Sequence, residues 1–231
     1  MTFLVAIHAG SYVLLAADKM ESVRVFDQSL PLHSTASKIV DTPLGAITGA
    51  GLVSLLDAVK ARIQAEPVSH TDQVLSIIHD ERDRARGQGS ASEQDLAYTS
   101  WLLTYRAPVG GDIAVRCVGF LPVLEGRRFV VVEQGMVMPV FPLDTPPETV
   151  HRVTGDLRSD VRVADEGTRA DSLRHHLGSV CRALCDVAAS SSQVSTTFDF
   201  AVTTREGTWC AAKRIDALHP ALDEWPGMDD P

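Results

Sequence analysis

Basic residues and cysteines are scarce in this chain, and each scarcity excludes a class of protein. The 231 residues carry 21 Lys and Arg against 30 Asp and Glu, which gives a net charge of -9. Binding to nucleic-acid phosphates needs a concentrated basic surface, so we expect no nucleic-acid partner. Four cysteines are too few for a disulfide framework in a chain of this length, and we expect reduced thiols.

Long apolar runs are also missing. No run approaches the roughly 20 residues that a membrane-spanning helix requires, and the first residues lack the basic segment of a signal peptide. We therefore expect a cytoplasmic protein that has no membrane partner.

The chain does contain enough apolar sequence for a packed domain, since 45% of its residues are hydrophobic. Apolar residues recur at helical spacing from Leu52 until shortly before Pro67, and the same period predicts helices over 71–86 and 171–188. Shorter apolar runs predict strands, over 3–7, 12–17, 38–40, 44–48, 98–105, 113–120, 128–132, 198–203 and 208–213. The Pro-rich stretch 139–147 is predicted to be a loop.

Helices that are segregated from antiparallel strands are typical of the α+β class. We therefore predict two packed antiparallel sheets that carry helices on their outer faces. The sequence shows no internal repeat, linker or break in composition, so we expect one domain over 1–231. Its acidic end, 222–231, is expected to be frayed.

Thr2 is the first residue that indicates chemistry. Methionine aminopeptidases generally remove Met1 when the next side chain is as small as that of Thr, and this would leave a free α-amine beside the Thr2 hydroxyl. Such an amine is neutral in part near pH 7 and can accept the hydroxyl proton. A threonine at the N-terminus can therefore act as a nucleophile that carries its own base.

Strand pairing brings an acid toward this residue. If Ala9, Gly10 and Ser11 form a three-residue hairpin loop, His8 pairs with Tyr12 and Thr2 faces Asp18 on the same side of the sheet. A two-residue loop would turn Asp18 to the other face. The spacing thus predicts that Thr2 and Asp18 are direct partners across the hairpin.

Two further residues complete the candidate site. Lys38 opens the next predicted hairpin and can place a cation between Asp18 and Thr2, which would favour the alkoxide form of the hydroxyl. Gly51 lies just before a helix, where free backbone N–H groups can stabilise the oxyanion of an acyl-transfer intermediate. Each residue can also be interpreted as purely structural. Thr2 would be the second residue of an edge strand and Asp18 a turn residue at a strand end. Lys38 would be the solvated first residue of a strand, and Gly51 the N-cap of a helix.

Taken together, these stretches resemble a known family. Residues 2–19, which end in VLLAADK, resemble the mature N-terminus of proteasome β-type subunits. Residues 38–53 are similar to the family's lysine-bearing strand pair and the helix that follows, and FDFAVTTREG at 198–207 is similar to its penultimate strand and turn. On these residues the chain is identified as a member of the proteasome β-type and HslV-like N-terminal nucleophile (Ntn) hydrolase superfamily, as a bacterial proteasome-related subunit.

The resemblance implies a four-layer αββα sandwich and a threonine endopeptidase that hydrolyses peptides or unfolded proteins. It implies assembly into a homo-oligomer of rings or stacked rings, with no cofactor and no metal. Thr2 matches the nucleophile, Asp18 and Lys38 its charged partners, and Gly51 the oxyanion-hole glycine. The residues that match the first specificity pocket are Glu21, Gly49 and Val53. At 188–195 the chain has a serine-rich stretch where the family usually has Asp-x-x-Ser-Gly.

Alternative functions follow from the same residues. A retained Met1 would leave a non-catalytic assembly protein with the same fold, and an N-terminal nucleophile can also hydrolyse a small amide. His176, Cys181 and Cys185 are metal-ligating residue types spaced along one predicted helix. Structural zinc sites use four close ligands, so we do not expect a zinc site here. The chain lacks a Gly-x-Ser-x-Gly elbow, so a serine hydrolase is not expected.

Overall fold

Two antiparallel sheets and the helices packed on them make up most of the computed structural model, which describes residues 2–25, 28–33, 37–125, 128–211 and 215–218. The strands are β1 (Leu4–His8), β2 (Tyr12–Asp18), β3 (Met20–Val25), β4 (Gln28–His33), β5 (Val40–Asp41), β6 (Ala46–Ala50), β7 (Ser100–Val109), β8 (Asp112–Phe120), β9 (Phe129–Val132), β10 (Met136–Val140), β11 (Thr197–Thr204), β12 (Thr208–Cys210) and β13 (Ile215–Asp216). The helices are α1 (Val53–Ala65), α2 (Thr71–Gly87), α3 (Glu93–Tyr98), α4 (Pro122–Glu125), α5 (Pro147–Asp160) and α6 (Arg169–Ala188). The predicted α+β class is confirmed.

The first sheet has the strand order β10-β1-β2-β11-β12, with β13 beside β11. Its outer face packs on α5 and α6, where Val5 and Leu14 of the strands share a buried cluster with Val153 and Leu177 of the helices. Because side chains alternate along a strand, the neighbouring residues of β1 and β2 face the opposite way. Both strands are buried throughout, so this hairpin is covered on both of its faces.

The second sheet has the order β5-β6-β7-β8-β9 and packs on α1 and α2. Leu56 and Val59 of α1 and Ile78 of α2 lie against Trp101 and Phe120 of the strands. This apolar stripe explains why α1 and α2 form where helical spacing predicts them. The helix α1 ends at Ala65, before Pro67, as expected from the geometry of the residue that precedes a proline.

Small residues line the contact between the two sheets. Ala6, Ala17, Ala46, Ala50 and Ala201 belong to one buried cluster to which both sheets contribute. The larger side chains of this cluster, Leu4 and Leu15 of the first sheet and Leu102 of the second, fill the rest of the space between the sheets.

Three local predictions are wrong. The first hairpin pairs His8 with Val13, and the Ala9 amide donates to the Tyr12 carbonyl, so its loop consists of Gly10 and Ser11 alone. Gly10 has a φ of 92°, a positive value that such a tight turn requires and that glycine adopts without strain. The stretch 139–147 is not all loop: Pro139 lies within β10, which tolerates proline because it is an edge strand.

The third correction concerns α5, which the apolar spacing did not predict. Its buried side chains are Thr149, Val153 and Leu157, and the rest of the helix is polar. Within the described ranges, no helix has the length and apolar character needed to cross a bilayer. The predicted tail 222–231 lies outside the described residues, and the single domain remains a prediction.

Candidate functional site

Thr2 and Lys38 are in direct contact. The Lys38 ammonium donates a hydrogen bond to Thr2 Oγ1 with an Nζ–O distance of 2.7 Å, and a second one to the Met20 carbonyl. Both side chains are buried, since each residue is only 6% exposed. A cation at hydrogen-bond distance stabilises negative charge on the hydroxyl oxygen, so this contact favours a nucleophilic Thr2.

Asp18 lies behind this pair and is fully buried. Its Oδ1 is 3.9 Å from Lys38 Nζ and accepts the Phe3 amide at 2.8 Å, while Oδ2 accepts the amides of Met20 and Ser195 at 2.7 and 3.1 Å. Burial raises the pKa of the Asp18 carboxyl, and Lys38 together with these amide donors opposes the rise. The carboxylate is therefore an anchored counter-charge for Lys38.

The site forms by a different route from the one the sequence suggested. The ladder that pairs Leu4 with Ala17 leaves Phe3, not Thr2, opposite Asp18, and the predicted direct pairing of Thr2 with Asp18 is wrong. Thr2 lies before β1, which starts at Leu4. Its side chain therefore does not have to follow the alternation of side chains along that strand. Lys38 lies just before β5 of the second sheet, and its side chain connects Thr2 with Asp18.

Lys38 is itself held at its main chain. Thr48 Oγ1 donates to the Lys38 carbonyl at 3.1 Å, and the Lys38 amide donates to Asp199 Oδ2 at 3.1 Å. Thr48 lies on β6 of the second sheet and Asp199 on β11 of the first. Lys38 thus lies where the two sheets meet.

Sequence reasoning missed Lys19, Ser195 and Asp199. Lys19 Nζ forms an ion pair of 2.7 Å with Asp199 Oδ2, and its side chain is 3% exposed. Ser195 Oγ accepts the Lys19 amide at 3.2 Å and donates to the Thr197 carbonyl at 2.8 Å. The sequence does show a lysine directly after the candidate aspartate. It does not show the partner of this lysine, because Asp199 lies 180 residues away.

The remaining candidate residues occupy three different settings. Gly51 has a φ of 128° and immediately precedes Leu52, the N-cap of α1, whose amide donates to Thr99 Oγ1 at 3.0 Å. Gly49 is buried in β6, where a side chain would collide with Leu56 and the Ser100 carbonyl. Val53 starts α1 and is 37% exposed. Glu21 lies on β3, and its side chain is outside the described residues.

His176 is used within the fold. Its Nε2 accepts the Arg162 amide at 2.9 Å, and its Nδ1 lies 2.6 Å from the Tyr12 hydroxyl, which in turn donates to Ser172 Oγ at 3.1 Å. Because a neutral imidazole has a single N–H, this arrangement places the proton on Nδ1. Across the part of the chain that the structure describes, no three His, Cys, Asp or Glu side chains form a group that could hold a metal ion.

Comparison with solved structures identifies proteins that share this fold. An Anbu (Gly-1) mutant from Hyphomicrobium sp. strain MC1 superposes with a TM-score of 0.64 at 14% identity, over 96% of this chain and 90% of the other. The helical assembly of the Anbu complex from Pseudomonas aeruginosa gives 0.65 at 14% identity, over 96% and 89%. Anbu from Yersinia bercovieri, described as an ancestral beta-subunit, gives 0.57 at 15% identity, over 90% and 86%. The chain shares the fold of Anbu.

These findings correct the sequence-based assignment. The matching structures are Anbu proteins, so the assignment to proteasome β-type and HslV-like Ntn hydrolase subunits is wrong. No protein-family model matches the chain, and neither does any curated protein. Identities of 14 and 15% establish the shared fold and nothing about activity.

Proposed function

We propose that this chain is an Anbu-like threonine endopeptidase, which hydrolyses peptide bonds with Thr2 as its nucleophile after Met1 is removed. One observation carries the proposal: the Lys38 ammonium lies 2.7 Å from Thr2 Oγ1, with the buried Asp18 carboxylate as its counter-charge. The purely structural interpretations of these residues as strand ends, turns and caps do not account for this burial. Buried charges are costly unless they are paired, so an aspartate and a lysine are rarely buried around a threonine hydroxyl without a role.

In the proposed reaction, Thr2 Oγ1 attacks the carbonyl carbon of a peptide bond. The free α-amine of Thr2 accepts the hydroxyl proton and then delivers it to the leaving amine, and Lys38 stabilises the developing alkoxide. The Gly51 amide is the proposed donor to the oxyanion. Water then attacks the carbonyl carbon of the acyl-enzyme ester. The same amine takes a proton from this water and returns it to Thr2 Oγ1 as the ester bond breaks and the acid product leaves.

Two coarser features support this proposal. The three buried clusters, one on the outer face of each sheet and one between the sheets, are those expected of a four-layer αββα sandwich. The helical assembly of the Anbu complex from Pseudomonas aeruginosa supports a homo-oligomer for this chain as well. We propose that the oligomer encloses the sites, that peptides or unfolded proteins reach them, and that Glu21, Gly49 and Val53 line the first pocket.

The test compares Thr2→Ala and Thr2→Ser in protein whose intact mass shows that Met1 is absent. Both side chains are small enough for Met1 removal, but only serine keeps a hydroxyl. We expect Thr2→Ala to abolish hydrolysis of fluorogenic peptides and Thr2→Ser to retain part of it. Equal activity in wild type and Thr2→Ala would show that another group is the nucleophile.

A non-catalytic assembly protein is the second candidate. It is favoured by the burial of Thr2, which is 6% exposed and so offers little surface to a substrate in this conformation. An epoxyketone probe separates the two functions, because it needs a hydroxyl and a free amine on one residue. Peptide mapping that finds the adduct on Thr2 supports the peptidase, and a retained Met1 supports the assembly protein.

A further inference from the structure

We propose that Lys19 and Asp199 act as a positioning pair, which fixes Lys38 against Thr2. This inference rests on the proposed function, since it assigns a role within that site. The pair is separate from the group formed by Thr2, Asp18 and Lys38. Asp199 Oδ2 joins the pair to that group, because it accepts hydrogen bonds from both the Lys19 ammonium at 2.7 Å and the Lys38 amide at 3.1 Å.

The two ends of Lys38 are thus held by two different carboxylates. Asp199 binds the main-chain amide, whereas Asp18 lies 3.9 Å from the side-chain ammonium. Asp199 lies on β11 and pairs with Ala17 of β2, so both carboxylates belong to the first sheet. The position of the Lys38 ammonium relative to Thr2 therefore depends on how firmly the first sheet holds the Lys38 main chain.

Lys19 orients the Asp199 carboxylate. Its ammonium forms the ion pair, and its amide donates to the Thr197 carbonyl at 2.9 Å and to Ser195 Oγ at 3.2 Å. Ser195 also gives its own amide to Asp18 Oδ2. Lys19 is consequently connected to both carboxylates that hold Lys38, and both Lys19 and Asp199 are buried, at 2% and 9% exposed.

The geometry favours a positioning role over simple stabilisation. A buried ion pair adds little to stability compared with apolar residues of the same size. Displacement of a reacting group by about 1 Å can lower a rate about a hundredfold. The pair is therefore expected to affect turnover more than substrate binding.

The experiment uses Asp199→Asn, which keeps the shape of the side chain and removes the ion pair. The matched control is Glu81→Gln, because Glu81 on the remote helix α2 is also a buried carboxylate with basic partners, which are Arg62 of α1 and Arg84 of α2. Peptidase kinetics are measured in both variants. The chain has only four lysines, Lys19, Lys38, Lys60 and Lys213, so the ¹³C signal of each lysine ε-carbon can be assigned by single Lys→Arg substitutions.

We expect Asp199→Asn to lower kcat on the order of tenfold or more, with KM within about twofold, and to shift the Lys38 ε-carbon signal. Glu81→Gln should reduce stability while kcat and that signal stay as in wild type. Lys19→Arg should retain most of kcat, whereas Lys19→Met should match Asp199→Asn, and the double variant Lys19→Met/Asp199→Asn should lose no more than either single change.

Two outcomes would overturn the inference: an unmoved Lys38 signal in Asp199→Asn, or a kcat equal to that of Glu81→Gln. If wild-type protein that has lost Met1 hydrolyses no peptide, the proposed function fails. The Lys38 signal alone then decides whether the pair positions this lysine.

Discussion

The Phe3 amide donates a hydrogen bond to Asp18 Oδ1 at 2.8 Å, across a ladder in which these two residues lie opposite each other. Asp18 is therefore anchored by the main chain that carries Thr2, while the Thr2 side chain stays available to Lys38. Among the described contacts, Lys38 is the residue whose side chain connects Asp18 with the Thr2 hydroxyl. This order of contacts determines how the charges of the site should respond to substitution.

Lys38→Met should lower both stability and activity. The change removes the cation near a fully buried carboxylate, and an uncompensated buried charge costs about 3–5 kcal/mol of unfolding free energy. Because burial raises the pKa of Asp18 above its ordinary value, the charged carboxylate is less favourable in the folded protein than in the unfolded chain. The lost stability should therefore return as the pH is lowered and Asp18 takes up a proton, as measured by urea unfolding between pH 7 and pH 4.

The double variant Lys38→Met/Asp18→Asn is the control for this prediction. Without a buried charge it should be more stable than Lys38→Met at pH 7 and show less pH dependence, yet remain inactive on peptides. Recovery of activity in the double variant would show that Lys38 serves only to neutralise Asp18.

Gly51→Ala should destabilise the protein, and it should lower activity if the proposed oxyanion donor is correct. The φ of 128° is unfavourable for alanine, and an added Cβ would lie 2.5 Å from Thr99 Oγ1. Gly155→Ala is the matched control, because Gly155 lies within α5 and the added carbon would point into open space. Alanine there should stabilise the helix by up to about 1 kcal/mol. Thermal unfolding and peptide hydrolysis of the two variants test this difference, and equal behaviour would contradict it.

Unfolding free energy should decrease between about pH 6.5 and pH 4 because of His176. Burial is the main cause that lowers its pKa to about 4, and His175 and Arg162 add to the effect. The unfolded chain binds a proton near pH 6.5 while the folded chain stays neutral, so protons favour the unfolded state as the pH falls through this window. A shift of this size, from 6.5 to about 4, corresponds to at most about 3–4 kcal/mol.

The structural reason is that Nε2 of His176 accepts the Arg162 amide, and a proton on that nitrogen would face another donor. His176→Gln should remove most of this pH dependence in urea unfolding. His151→Gln is the control, since His151 is exposed on α5. An unchanged slope in His176→Gln would assign the acid sensitivity to other groups.

The sequence predicted features that depend on local periodicity. Leu55, Val59 and Ile63 recur at helical spacing before Pro67, and α1 follows them. By contrast, α5 has only Val153 and Leu157 as buried apolar residues, after a run of prolines that is typical of loops. The first hairpin was placed one residue out of register, because Gly10 and Ser11 close a tighter turn than the composition alone distinguishes.

The candidate site divides in the same way. Thr2, Asp18 and Lys38 could be proposed together because all three lie in or next to strands predicted near the start of the chain. Asp199 and Ser195 could not, because their contacts with Lys19 join residues 180 and 176 positions apart. Such contacts follow from how β2 pairs with β11, which no local pattern in the sequence determines.

The arrangement of Lys38 at the meeting of the two sheets has a consequence for biosynthesis. Thr48 of one sheet and Asp199 of the other both bind its main chain, and Asp199 lies 161 residues after Lys38. A ribosome must therefore release the chain beyond Asp199 before both sheets can hold the Lys38 main chain. Until then the nascent polypeptide lacks one of the two carboxylates that bind this lysine.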